Sequence, residues 1–148
     1  MKKVITMFII IFGISSMLMA GERFIRDNTK EIVIDHQANL MWQDNNNTDQ
    51  VIDKNWNEAI DYCENLTLGG YNNWHLPNRN ELKSLVETNR YEPVTDPIFK
   101  NGTGAIYWSS STYVDMPSYA WGISFTDGMN IGTLKTDTNY AIRCVRNN

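Results

Sequence analysis

The chain has 148 residues, with 13 basic and 17 acidic side chains and a formal net charge of −4. That length holds one ordinary domain and is too short for two. The acidic balance gives no general pull toward nucleic acid or an anionic membrane, and it weakens binding to sulfated polysaccharides.

Met1-Lys2-Lys3 is a basic start, residues 4–19 (VITMFIIIFGISSMLM) form an uncharged apolar run, and Ala20 precedes the polar Gly21-Glu22-Arg23. This pattern predicts a secretory signal peptide over residues 1–20, although Leu18 is large for its place before the cleavage point. An uncleaved anchor is the rival reading, but the run is at the short end of the roughly 20 apolar residues that span a bilayer. No cysteine sits at the cleavage point to carry a lipid. The expectation is therefore an exported domain of residues 21–148, periplasmic or at the cell surface, with no stable membrane insertion. Losing Lys2 and Lys3 lowers its net charge from −4 to −6.

Residues 24–26 read as a short extended start. Residues 31–43 (EIVIDHQANLMWQ) read as a hairpin, with Ile32 and Ile34 alternating before the turn and Leu40 and Trp42 after it. Asn39 suits a left-handed turn position. Residues 44–53 (DNNNTDQVID) are polar and read as a surface loop without the oxygen spacing of a calcium-binding EF-hand.

Residues 55–66 (NWNEAIDYCENL) set Trp56, Ala59, Ile60, Cys63 and Leu66 on one face of a helix. Asn55 is its cap, and Glu58 completes a capping box. Residues 78–87 (NRNELKSLVE) repeat the signature, with Asn78 as cap, Glu81 three residues on, and Leu82, Leu85 and Val86 as the apolar face. Between the helices, Gly69-Gly70 ends the first unit and YNNWHLP follows. Pro77 biases Leu76 to an extended backbone and fixes the entry angle of the second helix. Leu76-Pro77 is a stiff strut that holds Trp74 as an anchor. His75 alternates with Trp74 and faces the other way, a lone histidine with no paired acid and no catalytic reading. The segment is a rigid corner.

Residues 91–101 (YEPVTDPIFKN) read as an ordered loop that dips Ile98 and Phe99 into the core. Strands are expected at 105–113 (AIYWSSSTY), 119–125 (YAWGISF) and 129–134 (MNIGTL), the last two a hairpin around Thr126-Asp127-Gly128. Residues 139–146 (NYAIRCVR) close the chain as a strand bearing Cys144. The order is that of an α+β domain, two helices on a twisted, mainly antiparallel sheet. So small a domain is expected to bury most of Trp42, Trp56, Trp74, Trp108 and Trp121.

In an exported chain the isolated pair Cys63 and Cys144 is most simply a disulfide. Its loop of about 80 residues is worth roughly 4.5 kcal/mol in the chain-entropy model. A redox pair usually shows C-x-x-C spacing, and a zinc site needs further ligands. His36 and His75 are the only histidines and lie far apart. No metal or cofactor is expected.

Taken together, W-x-x-A-x-x-Y-C, G-G-Y-x-x-W-x-L-P, Y-W-S-S and R-C-V-R resemble, in this order, the Lcl C-terminal domain family, over nearly all of residues 21–148. This bacterial family is named for the end of a collagen-like surface adhesin. The resemblance implies a C-type-lectin-like α+β fold, related in architecture to sulfatase-modifying factors, and a bridge from a first-helix cysteine to a last-strand cysteine. Asn39 stands where the family often has glycine, and His75 where arginine is common. The collagen-like region is not in this sequence, so the adhesin's multivalency does not carry over.

Three functions follow for consideration. The first is a non-enzymatic binding or adhesion module for a glycan or envelope protein. Residues 108–121 (WSSSTYVDMPSYAW) are rich in aromatics and hydroxyls. In the loop at their middle, Tyr113, Asp115, Ser118 and Tyr119 are the candidate ligand-binding residues, the tyrosines for stacking on a sugar and the others for hydrogen bonds. This loop is expected opposite the helices and the disulfide. The plainer alternative makes Trp108 and Trp121 core and the loop merely solvated. Calcium-dependent sugar binding lacks its Glu-Pro-Asn motif, since Val94 follows Glu92-Pro93. The second function is an enzyme, but the cysteine pair that oxidases of the related architecture need is committed here to the bridge, and Ser109-Ser110-Ser111 has no base partner. No catalysis is expected. The third is a structural subunit of an envelope assembly, which an exposed apolar patch favours.

Overall fold

The first hairpin sets the frame. In the computed structural model, which describes residues 21–45, 54–100 and 105–148, β1 (Phe24–Asp27) pairs antiparallel with β2 (Ile32–Asp35), and β2 with β3 (Leu40–Gln43). The leader expected at 1–20 and most of the loop at 44–53 lie outside the described residues. The turn between β2 and β3 places Asn39 at φ 55°, the left-handed position its short polar side chain tolerates. Asp35 closes this turn by accepting the Gln37 and Ala38 N–H groups at 3.0 Å.

Helix α1 (Trp56–Glu64) begins at the expected cap. Asn55 Oδ1 accepts the Glu58 N–H at 3.2 Å, and Glu58 accepts the Asn55 N–H at 2.8 Å. Helix α2 (Arg79–Lys83) repeats this with Asn78 and Glu81. It is shorter than the expected 78–87. The residues after it tighten into i→i+3 bonds, Leu85 to Leu82 and Val86 to Lys83, which still bury Leu85.

The remaining strands form a second sheet, β4 (Ile106–Thr112), β5 (Tyr119–Ser124) and β6 (Asn130–Leu134), antiparallel in that order. Gly128 turns the β5–β6 hairpin at φ 77°, as the Asp-Gly pair predicts. The α+β class stands, and the strands divide between two sheets. The expected strand at 139–146 is the reason. Only β7 (Val145–Asn147) is strand, pairing with β3. Upstream, Ala141 bonds to Ile106 and Trp108 on β4. The Cys144 N–H goes to the buried Gln43 Oε1 at 3.0 Å instead of to a main-chain ladder. The segment thus stitches one sheet to the other.

Both faces of the first sheet are covered. Ile32 and Met41 meet Ala59, Cys63, Trp74 and Trp108 on the α1 side. Val33, Leu40 and Trp42 meet Leu82, Leu85, Tyr107 and Phe125 on the α2 side. Cys63 and Cys144 form the disulfide, fully buried, with Cα atoms 5.4 Å apart, inside the range such bonds accept.

Asp44 departs from the surface-loop reading. It is buried, paired with Arg143 at 3.2 Å and with Arg26, and it accepts the Lys100 N–H at 3.0 Å. The physical reason lies at the other end of the chain. Arg143, between Phe99 and Tyr107, is itself buried and needs a countercharge. Burial and the Arg143 charge pull the Arg26 guanidinium below its ordinary value, with Glu31 acting against them.

Candidate functional site

YNNWHLP is the corner the sequence implies, and it clamps both sheets. Trp74 is buried, with its indole N–H on Tyr71 O at 3.2 Å. His75 exchanges main-chain bonds with Val145 of β7 at 2.8 and 2.9 Å, and Pro77 O accepts the Ser110 N–H of β4 at 2.8 Å. His75 does have an acid partner: its Nε2 lies 3.5 Å from Glu81 Oε2, brought there by the turn into α2.

That corner delivers the start of α2 against β4 and β5. The Arg79 N–H donates to Ser111 Oγ at 3.0 Å. The β4–β5 register shifts between Trp108 and Thr112, an irregularity of the kind that re-aims side chains. Within it, Ser109 turns in to donate to Trp121 O at 2.7 Å, while Ser111 and Thr112 face a groove. The groove has a volume of about 380 Å³ and is lined by Asn78, Arg79, Asn80, Glu81, Ser111, Thr112, Val114 and Trp121.

Trp121 is its half-buried centre. Tyr113 stacks on the indole at 4.4 Å between centroids, and the Arg79 guanidinium lies over the same ring at 4.9 Å. A phenol stacked that closely fills one face, so the guanidinium takes the other. A sugar ring therefore finds no open indole face in this arrangement. What the groove offers is a hydrogen-bonding wall of amides, hydroxyls, a guanidinium and a carboxylate. Burial pushes the Glu81 carboxyl up, but hydrogen bonds from His75 and the Asn78 amide, with the His75 charge, outweigh it and hold the group below its ordinary range.

Of the candidate ligand-binding residues, Tyr113 and Tyr119 are brought together by a main-chain bond of 2.9 Å. Tyr113 also covers Gly132, where a Cβ would meet its ring at 3.3 Å. Asp115 and Ser118 are exposed at the loop tip, and Tyr119 is half-buried at the start of β5. Only Tyr113 reaches the groove's centre, through Trp121. The loop does not lie opposite both helices, because α2 packs against β4 and β5 and forms the facing wall. In the sequence Arg79, Glu81, Ser111 and Thr112 stand only as cap, helix or strand residues. No local signal joins them, since the groove is assembled from segments more than 25 residues apart.

A wider hollow of about 610 Å³ lies against Gly21–Arg23, Ile25, His36 and Gln37. Among the described residues no group of three His, Cys, Asp or Glu side chains is placed to hold a metal ion, and no helix is long and apolar enough to cross a membrane. The family model described as Lcl C-terminal domain matches residues 31–146. No curated protein sequence matches the chain.

Proposed function

The chain belongs to the Lcl C-terminal domain family, and from that premise we propose that it is an exported, non-enzymatic binding module of the bacterial cell envelope that takes a glycan in the groove between α2 and β4–β5. The observation that carries this reading is the groove's lining. Asn78, Asn80, Arg79, Glu81, Ser111 and Thr112 converge around one aromatic residue, which suits a ligand presenting many hydroxyls. Catalysis is not part of the reading. Both cysteines are spent on the buried bridge, and Glu81 is engaged by Asn78 and His75.

The test is a glycan array with the purified chain beside Asn80→Ala combined with Arg79→Ala. Both side chains lie at the start of α2, outside the core. Binding that disappears in the double variant while the melting temperature holds supports the groove. Binding that persists places the ligand elsewhere.

One observation favours a second reading, a structural subunit held by a protein neighbour. Val114, 87% exposed, stands at the loop tip with Met116, and Leu134 is exposed beside Tyr119. Such a cluster is the usual mark of a protein contact. A pull-down with the same chain separates the two, since a protein partner would be lost on Met116→Ser with Leu134→Ser, neither of which lines the groove, and a glycan would not.

A further inference from the structure

We propose that β6 is a pairing edge for a second copy of this chain. The other edges of the two sheets are guarded. β1 carries Arg26 and Asp27, β7 is flanked by His75, and β4 by Pro77 and Ala141. By contrast β6 reads Asn-Ile-Gly-Thr-Leu, with no charge and no proline, and among the described residues it pairs only with β5. Native sheets block such edges with lysine, proline or a bulge. Lys135, the next residue, looks like that guard in the sequence but is turned back. Its Nζ donates to Thr112 Oγ1 at 2.9 Å and lies 4.0 Å over the Trp56 ring.

The hydrogen-bond register says which groups the edge offers. Lys135 N–H donates to Ser118 O, and Ser124 N–H to Met129 O, both at 2.9 Å. Alternation then turns the main-chain groups of Ile131 and Thr133 toward β5 and those of Asn130, Gly132 and Leu134 outward. Leu134 O accepts the Asp137 N–H. The other outward groups have no main-chain partner among the described residues. This row is self-complementary about Gly132. An antiparallel copy related by a two-fold axis there sets Gly132 against Gly132 and the Leu134 N–H against the Asn130 carbonyl, reciprocally and with no like charges opposed within the strand. Exposed Met129 and Leu134 would be covered. The Tyr113 rings, which already lie over Gly132, would meet across the axis. Both Trp121 grooves would then open on one face of a continuous sheet, so a repeating ligand would be held at two points.

Sedimentation velocity on the purified chain tests this. A short edge makes a weak dimer, expected to populate as concentration rises to about 500 µM. Asn130→Lys with Leu134→Lys opposes like charges at both ends and should raise the dimer Kd about tenfold or more. Asn130→Lys with Leu134→Glu pairs opposite charges across the axis and should restore it. Both positions of the test are exposed on the outer edge, and an unchanged melting temperature confirms that each variant is folded. A chain that stays monomeric over this range overturns the proposal. So does a dimer indifferent to the paired lysines, or one that the opposite charges fail to restore.

Discussion

Asp44 Oδ1 accepts a hydrogen bond from the Arg143 guanidinium at 3.2 Å, and both side chains are sealed from solvent. Arg26 approaches the other carboxylate oxygen, so one buried anion serves two cations. Removing the anion leaves charge without compensation in the interior, which typically costs about 3–5 kcal/mol. Asp44→Asn should therefore lower stability by that amount in urea unfolding. A loss under about 1 kcal/mol, the level of a surface ion pair, would show that the cluster is wet.

Trp74 is only 2% exposed and holds the corner between the sheets. Truncating a buried aromatic costs about 3–5 kcal/mol, so Trp74→Ala should destabilise the chain on that scale. An unchanged melting temperature would make YNNWHLP a surface rather than an anchor.

The disulfide joins α1 to the segment before β7 across a sequence separation of 81 residues. Cys63→Ala with Cys144→Ala should cost roughly 2–5 kcal/mol, mostly through the freer unfolded chain. Mass spectrometry of the purified, non-reduced protein should find no free thiol. Two reactive thiols in the folded chain would refute the bridge.

Glu81 gives an acid-side signature. Its folded pKa is held below the ordinary 4.5, so its stabilising contribution is complete above that value. The contribution is lost as pH falls through the lower, folded value. Glu81→Gln should then flatten the fall in stability below about pH 4.5. If the variant's acid limb matches the parent's, the carboxylate does not hold α2 in place.

Tyr113 and Trp121 stack at 4.4 Å, and such pairs are worth about 0.5–1.5 kcal/mol beyond their burial. A double-mutant cycle on Tyr113→Ala and Trp121→Ala should return a coupling of that size in thermal unfolding. Zero coupling would mean that the ring is free to leave the indole and open a stacking face to a ligand.

The local features were legible in the sequence because their physics is local. Asn55 with Glu58, and Asn78 with Glu81, cap their helices through bonds that span three residues. Asn39 and Gly128 turn hairpins because their own backbones tolerate positive φ. The partnership of Cys63 and Cys144 was legible too, because a two-cysteine chain allows a single pairing. What only the tertiary structure decided depends on groups brought from far along the chain. Asp44 reads as loop until Arg143, 99 residues away, is buried beside it. Trp121 reads as core until Arg79 and Tyr113 close on its ring. Lys135, next to β6 in the chain, leaves that edge only because Trp56 and Thr112 draw its side chain inward. Desolvation, ring stacking and countercharge act through space, so no spacing within the sequence records them.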